Sequence, residues 1–217
     1  MSKILDSVLI DSPIDQGNIN WETYYKTVPE NEKLWTYKQE PNEHVKLFLE
    51  YHNFSSDITI LDIGCGEGRN IQILSKLYNN VYGVDISQTA ISTISNIFPN
   101  INASVQDAAN LNFTNNTFDA IIDAGCLHTN NPIQYKKILN QYYRILKPNG
   151  KLYIRLFYSN SALPIFYFDI KSRKMPIYGL SSEYFKNLIK DIFEIDDIIK
   201  ETPNAGVRYI YLHKINN

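Results

Sequence analysis

Apolar positions along this chain alternate between two periods. Leu74, Leu77 and Tyr78 fall at helical spacing, as do Ile91, Ile94 and Phe98, and again Ile138, Leu139, Tyr142 and Leu146. Short Ile- and Val-rich runs lie between them, each too brief for a helix and suited to a buried strand. This βαβαβ alternation predicts an α/β fold: a parallel sheet covered on both faces by helices, with right-handed crossovers and a ligand crevice at the carboxyl ends of the strands. Pro148-Asn-Gly150 is a turn signal before the fifth strand. Beyond residue 156 the pattern changes. Phe185, Leu188, Ile189 and Ile192 predict one more helix, and Phe193–Ile199 and Arg208–His213 predict two strands joined by Pro203-Asn-Ala-Gly206.

Within this frame the run Ile60-Leu-Asp-Ile-Gly-Cys-Gly-Glu-Gly-Arg-Asn70 is a strand that breaks into three alternate glycines and then starts a helix. Glycine permits positive φ and lets a ligand approach the main chain where a side chain would block it. A phosphate loop would need Lys and Ser/Thr after its last glycine, and Gly68 is followed by Arg69 and Asn70. A dinucleotide loop would read Gly-x-Gly-x-x-Gly; here the third glycine comes one residue early, and Glu67 sits where a pyrophosphate would lie. An adenosyl ligand without phosphate fits better.

At this point the chain resembles the class I S-adenosylmethionine-dependent methyltransferases, whose first motif has the form Asp-x-Gly-x-Gly-x-Gly, met here by Asp62, Gly64, Gly66 and Gly68. The resemblance continues in order from about residue 45 to 156: Val81–Ile86, a strand ending in Asp85; Ala103–Ala108, like the third motif; Phe118–His128, like the fourth strand and its end; and Leu146–Arg155, like the helix end, turn and fifth strand. It implies a Rossmann-like, mostly parallel seven-stranded sheet with an antiparallel last strand and S-adenosyl-L-methionine as cofactor. Asp85 would accept both ribose hydroxyls, Asp107 and the Ala108 N–H would face the adenine, and Arg69 would meet the cofactor carboxylate. Asp62, Gly64, Cys65, Gly66, Gly68, Ile86, Asp123 and Ala124 complete the implied cofactor set. Asp119, at the wrong end of its strand, is given no role.

Composition narrows the partners. With 21 Lys and Arg against 23 Asp and Glu, the net charge of −2 exerts no global pull on nucleic acid or membrane. No apolar run approaches the ~20 residues of a membrane span, and Met-Ser-Lys-Ile-Leu-Asp does not read as a signal peptide. Two cysteines, Cys65 and Cys126, are too few for a disulfide framework or a zinc site. The expectation is one cytoplasmic domain over 1–217, monomeric or homodimeric, with no metal.

Two aromatic segments stand outside the alternation: residues 21–48, with Trp21, Tyr24, Tyr25 and Trp35, and residues 156–178, with Phe157, Tyr158 and Tyr178. In the fold implied, both overhang the crevice, so residues 1–50 and 157–180 are expected as a helical lid and an insertion over the site. Tyr24, Tyr25, Trp35, Cys126, Phe157, Tyr158 and Tyr178 are the expected substrate pocket; aromatic walls exclude water and favour a sulfonium. His128 is the candidate base. Asp123-Ala-Gly-Cys-Leu-His128 is most similar to the small-molecule branch that includes thiol, thiopurine and tellurite methyltransferases, so a small acceptor is expected. A protein or RNA substrate, or a non-catalytic cofactor-binding subunit, is the alternative; the Asn/Asp-Pro-Pro-Tyr of amino-methylating nucleic-acid enzymes is missing after strand four.

Overall fold

The computed structural model describes residues 20–33, 36–159, 165–170, 173–200 and 206–216. Two helices, α1 (Trp21–Thr27) and α2 (Glu43–His52), precede an alternation of β1 (Thr59–Ile63), α3 (Ile71–Leu77), β2 (Asn80–Asp85), α4 (Gln88–Ile97) and β3 (Asn102–Val105). Then come β4 (Phe118–Asp123), α5 (Tyr135–Ile145), β5 (Leu146–Phe157), β6 (Ile165–Ile170), β7 (Arg173–Tyr178), α6 (Ser182–Ile189), β8 (Phe193–Lys200) and β9 (Val207–Lys214). The seven-stranded sheet has the order β3-β2-β1-β4-β5-β9-β8. β3, β2, β1, β4 and β5 run parallel, and β9 lies antiparallel between β5 and β8.

The alternation of side chains along each strand builds two cores. Leu61, Ile121, Leu152, Ile154, Ile210 and Leu212 pack beneath α5 and α6 with Ile138, Leu139, Tyr142 and Phe185. Their sequence neighbours Ile60, Ala120, Ile122, Tyr153, Tyr209 and Tyr211 face the other way, onto Val45 and Phe48 of α2, Ile71 and Leu74 of α3, and Ile91 and Ile94 of α4. Each fully buried Leu or Ile contributes about 1.5–3 kcal/mol, so a one-residue slip of any central strand would exchange both faces at once.

The Pro148-Asn-Gly150 signal becomes an outward bulge of β5 rather than a turn before it. Pairing jumps from Phe118↔Leu146 to Ala120↔Lys151, and Asn149 takes φ 60. Gly150 cannot be replaced cheaply, since an added Cβ would lie 2.8 Å from the Lys147 carbonyl. The insertion after β5 is an antiparallel hairpin, with Ile165 opposite Tyr178 and Ile170 opposite Arg173. Of the expected lid and insertion, residues 1–19, 34–35, 160–164 and 171–172 lie outside the described residues. No helix among the described residues is long and apolar enough to cross a membrane.

Candidate active site

The carboxyl ends of β1, β2 and β4 open into a cavity of about 980 Å³. Its floor is the glycine loop. Gly64, Gly66 and Gly68 all take positive φ, at 65°, 54° and 91°. The loop is pressed against the segment after β4, because a Cβ on Gly64 would come within 2.8 Å of the Cys126 Cβ. At the end of β2, Asp85 accepts the Gly66 N–H at one carboxylate oxygen and the Ser87 N–H at the other, each at 2.9 Å. Each oxygen keeps a lone pair for a further donor. Burial raises the Asp85 pKa, and the backbone N–H groups oppose that shift. Beside it, Ile86 is 57% exposed and lines the cavity, an apolar surface of the kind that a flat ring covers. Asp107 and Ala108, past the end of β3, complete this end; Asp107 accepts the Ala109 N–H at 2.8 Å.

Gly64, Cys65, Gly66, Arg69, Asp85, Ile86, Asp107, Ala108, Ala124, Tyr25, Cys126, His128 and Phe157 all line this one cavity. Six expected site residues do not, and each has a physical reason. Asp62 is buried beneath the loop, its carboxyl pushed well up by burial and by the nearby Asp123, with Oδ2 lacking a hydrogen-bond partner among the described residues. Gly68 serves packing, since an added Cβ would meet the Phe98 ring at 3.1 Å and Ile94 at 3.4 Å. Asp123 is spent on the turn that follows it: its carboxylate accepts the N–H groups of Gly125, Cys126 and Leu127 and the Tyr142 hydroxyl. Burial raises its pKa to about 6.

The other three are aromatic. Tyr24 and Tyr25 are adjacent on α1 and so point about 100° apart; Tyr25 reaches the cavity, and Tyr24 packs with Val28 and Ala90. Strand alternation separates Phe157 from Tyr158 and Ile177 from Tyr178. Phe157 and Ile177 line the cavity, Tyr158 stacks on the Arg208 guanidinium at 4.4 Å, and Tyr178 is buried in the core under α5. Trp35 lies outside the described residues.

The far end of the cavity holds side chains that the sequence motifs do not mark: His44, Asn130, Arg155, Ile177 and Tyr209. His44 stacks on Tyr209 with ring centroids 3.5 Å apart. The His128 Nδ1 lies 2.9 Å from the Arg155 carbonyl. A carbonyl only accepts, so Nδ1 donates and Nε2 is left as the acceptor. Burial, with Arg155 adding to it, lowers the His128 pKa to about 3, and the ring is neutral at ordinary pH. Burial likewise pushes the Cys126 thiol well up, so it is not an anionic nucleophile. A cation at the end of an apolar strand, as in Leu152-Tyr-Ile-Arg155, was the available signal for Arg155.

The segment before β1 closes over the glycine loop through polar contacts. Lys33 pairs with Glu67, which is 1% exposed. Thr36 bridges the backbone of Glu67 and Gly68. Arg69 donates from Nε to the Glu40 carbonyl at 2.7 Å, and Glu22 of α1 accepts from the Ser87 hydroxyl and from the Thr89 N–H and hydroxyl at the start of α4.

Comparison with known proteins places the central part of this architecture. Residues 60–150 match the family model described as methyltransferase domain. The match runs from β1 into the first part of β5. The chain is 25% identical over 173 residues to phosphoethanolamine N-methyltransferase 2 of Caenorhabditis elegans, covering 77% of this chain and 37% of that one. It is 29% identical over 138 residues to EEF1A lysine methyltransferase 2 of Danio rerio, covering 58% of this chain and 59% of that one. It spans between 37% and 51% of the length of the first curated relatives it matches. Its fold superposes with a TM-score of 0.65, at 19% identity, on 1,6-didemethyltoxoflavin-N1-methyltransferase of Burkholderia thailandensis, which holds 1,6-didemethyltoxoflavin and S-adenosylhomocysteine; the match covers 80% of this chain and 78% of that one. S-adenosyl-L-methionine is the cofactor that the sequence motifs lead one to expect here. The residues present fit it: a glycine cradle that a Cβ would fill, a two-oxygen acceptor at Asp85 and an apolar shelf at Ile86.

Proposed function

We propose that this chain methylates a small-molecule acceptor at a sulfur, nitrogen or oxygen atom. The observation that carries the reading is the continuity of the cavity. One space of about 980 Å³ runs from Asp85 and Asp107 past Gly64 and Gly125 to Phe157, Ile177 and Tyr209. That is the upper end of the range of small-molecule sites, roughly 300–1,000 Å³, and it leaves room beside an adenosyl cofactor for a second small molecule.

In this reading Asp85 holds the ribose hydroxyls, Ile86 packs on the adenine, Asp107 and the Ala108 N–H meet its polar edge, and Arg69 meets the amino-acid carboxylate. When bound, S-adenosylmethionine supplies a methyl group on a positively charged sulfur. The chain's contribution is to hold an acceptor in line with that methyl and to keep water away, which proximity and desolvation make effective without strong acid or base chemistry. His128 Nε2 is placed to accept a hydrogen bond from an acceptor O–H, N–H or S–H. With a pKa of about 3 it orients the acceptor; it does not act as a base matched to neutral pH.

The test is transfer of labelled methyl from S-adenosylmethionine into separated small-molecule, protein and RNA fractions of a cell extract. Label in the small-molecule fraction is expected. Label confined to protein, as the lysine methyltransferase relative suggests, or to RNA would overturn the choice of acceptor. Cofactor binding with no label anywhere would point to a non-catalytic subunit.

A further inference from the structure

The cavity carries two guanidinium groups, Arg69 and Arg155, and the cofactor accounts for one anion to match them. Arg69 sits on the glycine loop with its Nε fixed by the Glu40 carbonyl. Arg155 is half-buried at the carboxyl end of β5, paired in register with Tyr209. Its guanidinium lies 5.3 Å from the Phe157 ring, and a Cβ added at Gly125 would be 3.8 Å from its Nη1 and 3.5 Å from the His128 Nε2. This cation therefore stands beside the His128 acceptor nitrogen, at the end of the cavity away from Asp85.

Nothing described neutralises it. Among the described residues no carboxylate pairs with the Arg155 guanidinium and no hydrogen bond engages it. The nearest strand-end carboxylate, Asp123 on β4, already accepts three backbone N–H groups and the Tyr142 hydroxyl. Asp85 ends β2, three strands from β5 in the sheet order, about 14 Å away at roughly 4.8 Å per strand. A bound sulfonium would add positive charge at this end. An unpaired guanidinium in a partly desolvated site is costly unless a ligand supplies its counter-charge, and its planar fork matches a carboxylate or phosphate.

We propose that Arg155 is a specificity-determining residue that selects acceptors bearing an anionic group, carboxylate or phosphate, and holds that group while the nucleophile faces His128. This inference rests on the methyltransferase reading of the same cavity.

The experiment is calorimetric titration of the S-adenosylhomocysteine-saturated protein with benzoate, phenyl phosphate and the neutral counterpart benzyl alcohol. At least one anion is expected to bind tenfold or more tightly than benzyl alcohol, and comparison of the two anions tells carboxylate from phosphate. Arg155→Met should abolish that margin with S-adenosylhomocysteine affinity within twofold of wild type, and Arg155→Lys should keep part of it. Equal behaviour of the three probes on the wild type overturns the proposal. So does a tenfold loss of S-adenosylhomocysteine affinity in Arg155→Met, which would move Arg155 to the cofactor. Failure of the wild type to bind S-adenosylhomocysteine at all is a separate result and would count against the methyltransferase reading itself.

Discussion

Gly64→Ala tests the packing of the glycine loop at one atom. The residue sits at φ 65, and its added Cβ would lie 2.8 Å from the Cys126 Cβ and 3.3 Å from the sulfur. Left-handed backbone costs an alanine about 1–2 kcal/mol, and forcing an extra methyl into a packed contact costs about 1–3 kcal/mol more. The sum, roughly 2–5 kcal/mol, should appear in urea unfolding and as at least a tenfold loss of S-adenosylhomocysteine affinity by calorimetry. The two parts separate in a double-mutant cycle, because Cys126→Gly removes the opposing Cβ and leaves the strain at position 64. In the Cys126→Gly background the Gly64→Ala penalty should shrink to the roughly 1–2 kcal/mol of backbone strain alone. If the penalty is the same in both backgrounds, the close approach of the two segments is not what requires glycine here.

Asp85→Ala removes the acceptor of the Gly66 and Ser87 N–H groups as well as the proposed ribose contact; it should weaken S-adenosylhomocysteine binding by ~1.5–3 kcal/mol, and unchanged affinity would refute the ribose role. Asp123 has a folded-state pKa raised from 3.8 to about 6, so its contribution favours folding fully below about pH 4 and is lost as pH rises through about 6. The wild-type minus Asp123→Asn stability difference should therefore change by roughly 3 kcal/mol between these limits in urea melts, and a flat difference would show that the carboxyl is not desolvated. For His128 the shift is downward, to about 3, so the ring stays neutral through pH 5–8. Turnover should show no inflection near 6.5 from this residue, and an inflection there that disappears in His128→Asn would contradict the neutral assignment.

Legibility in the sequence followed locality. The glycine loop and the strand-end Asp85 are short contiguous signals, and the helix and strand periods gave the parallel part of the sheet, though not its strand order, because burial on both faces leaves uninterrupted Ile and Val runs. The end of the cavity proposed for the acceptor was less legible because it is assembled from distant pieces: His44 from α2, His128 after β4, Arg155 from β5 and Tyr209 from β9. Aromatic clustering was an imprecise guide for a geometric reason. Neighbouring aromatics on a helix or strand point apart, so Tyr25, Phe157 and Ile177 reach the cavity and Tyr24, Tyr158 and Tyr178 turn away. Asp123 shows a second limit: an acidic residue at a strand end looks the same in sequence whether it meets a ligand or holds its own turn.

The buried pair of Lys33 and Glu67 makes the segment before β1 and the glycine loop a single unit of inheritance. Glu67 has 1% of its surface exposed, and breaking a buried pair by removing one partner costs about 3–5 kcal/mol because the other charge is left stranded. A substitution at Lys33 therefore requires a compensating one at Glu67, whereas Lys33 keeps Glu30 at 3.3 Å when Glu67 is replaced. In the same way, a chimera that exchanges the first 50 residues for those of a relative must carry a cation at position 33 or exchange the loop as well. Through this pair, any change in the segment before β1 is tethered to the glycine loop.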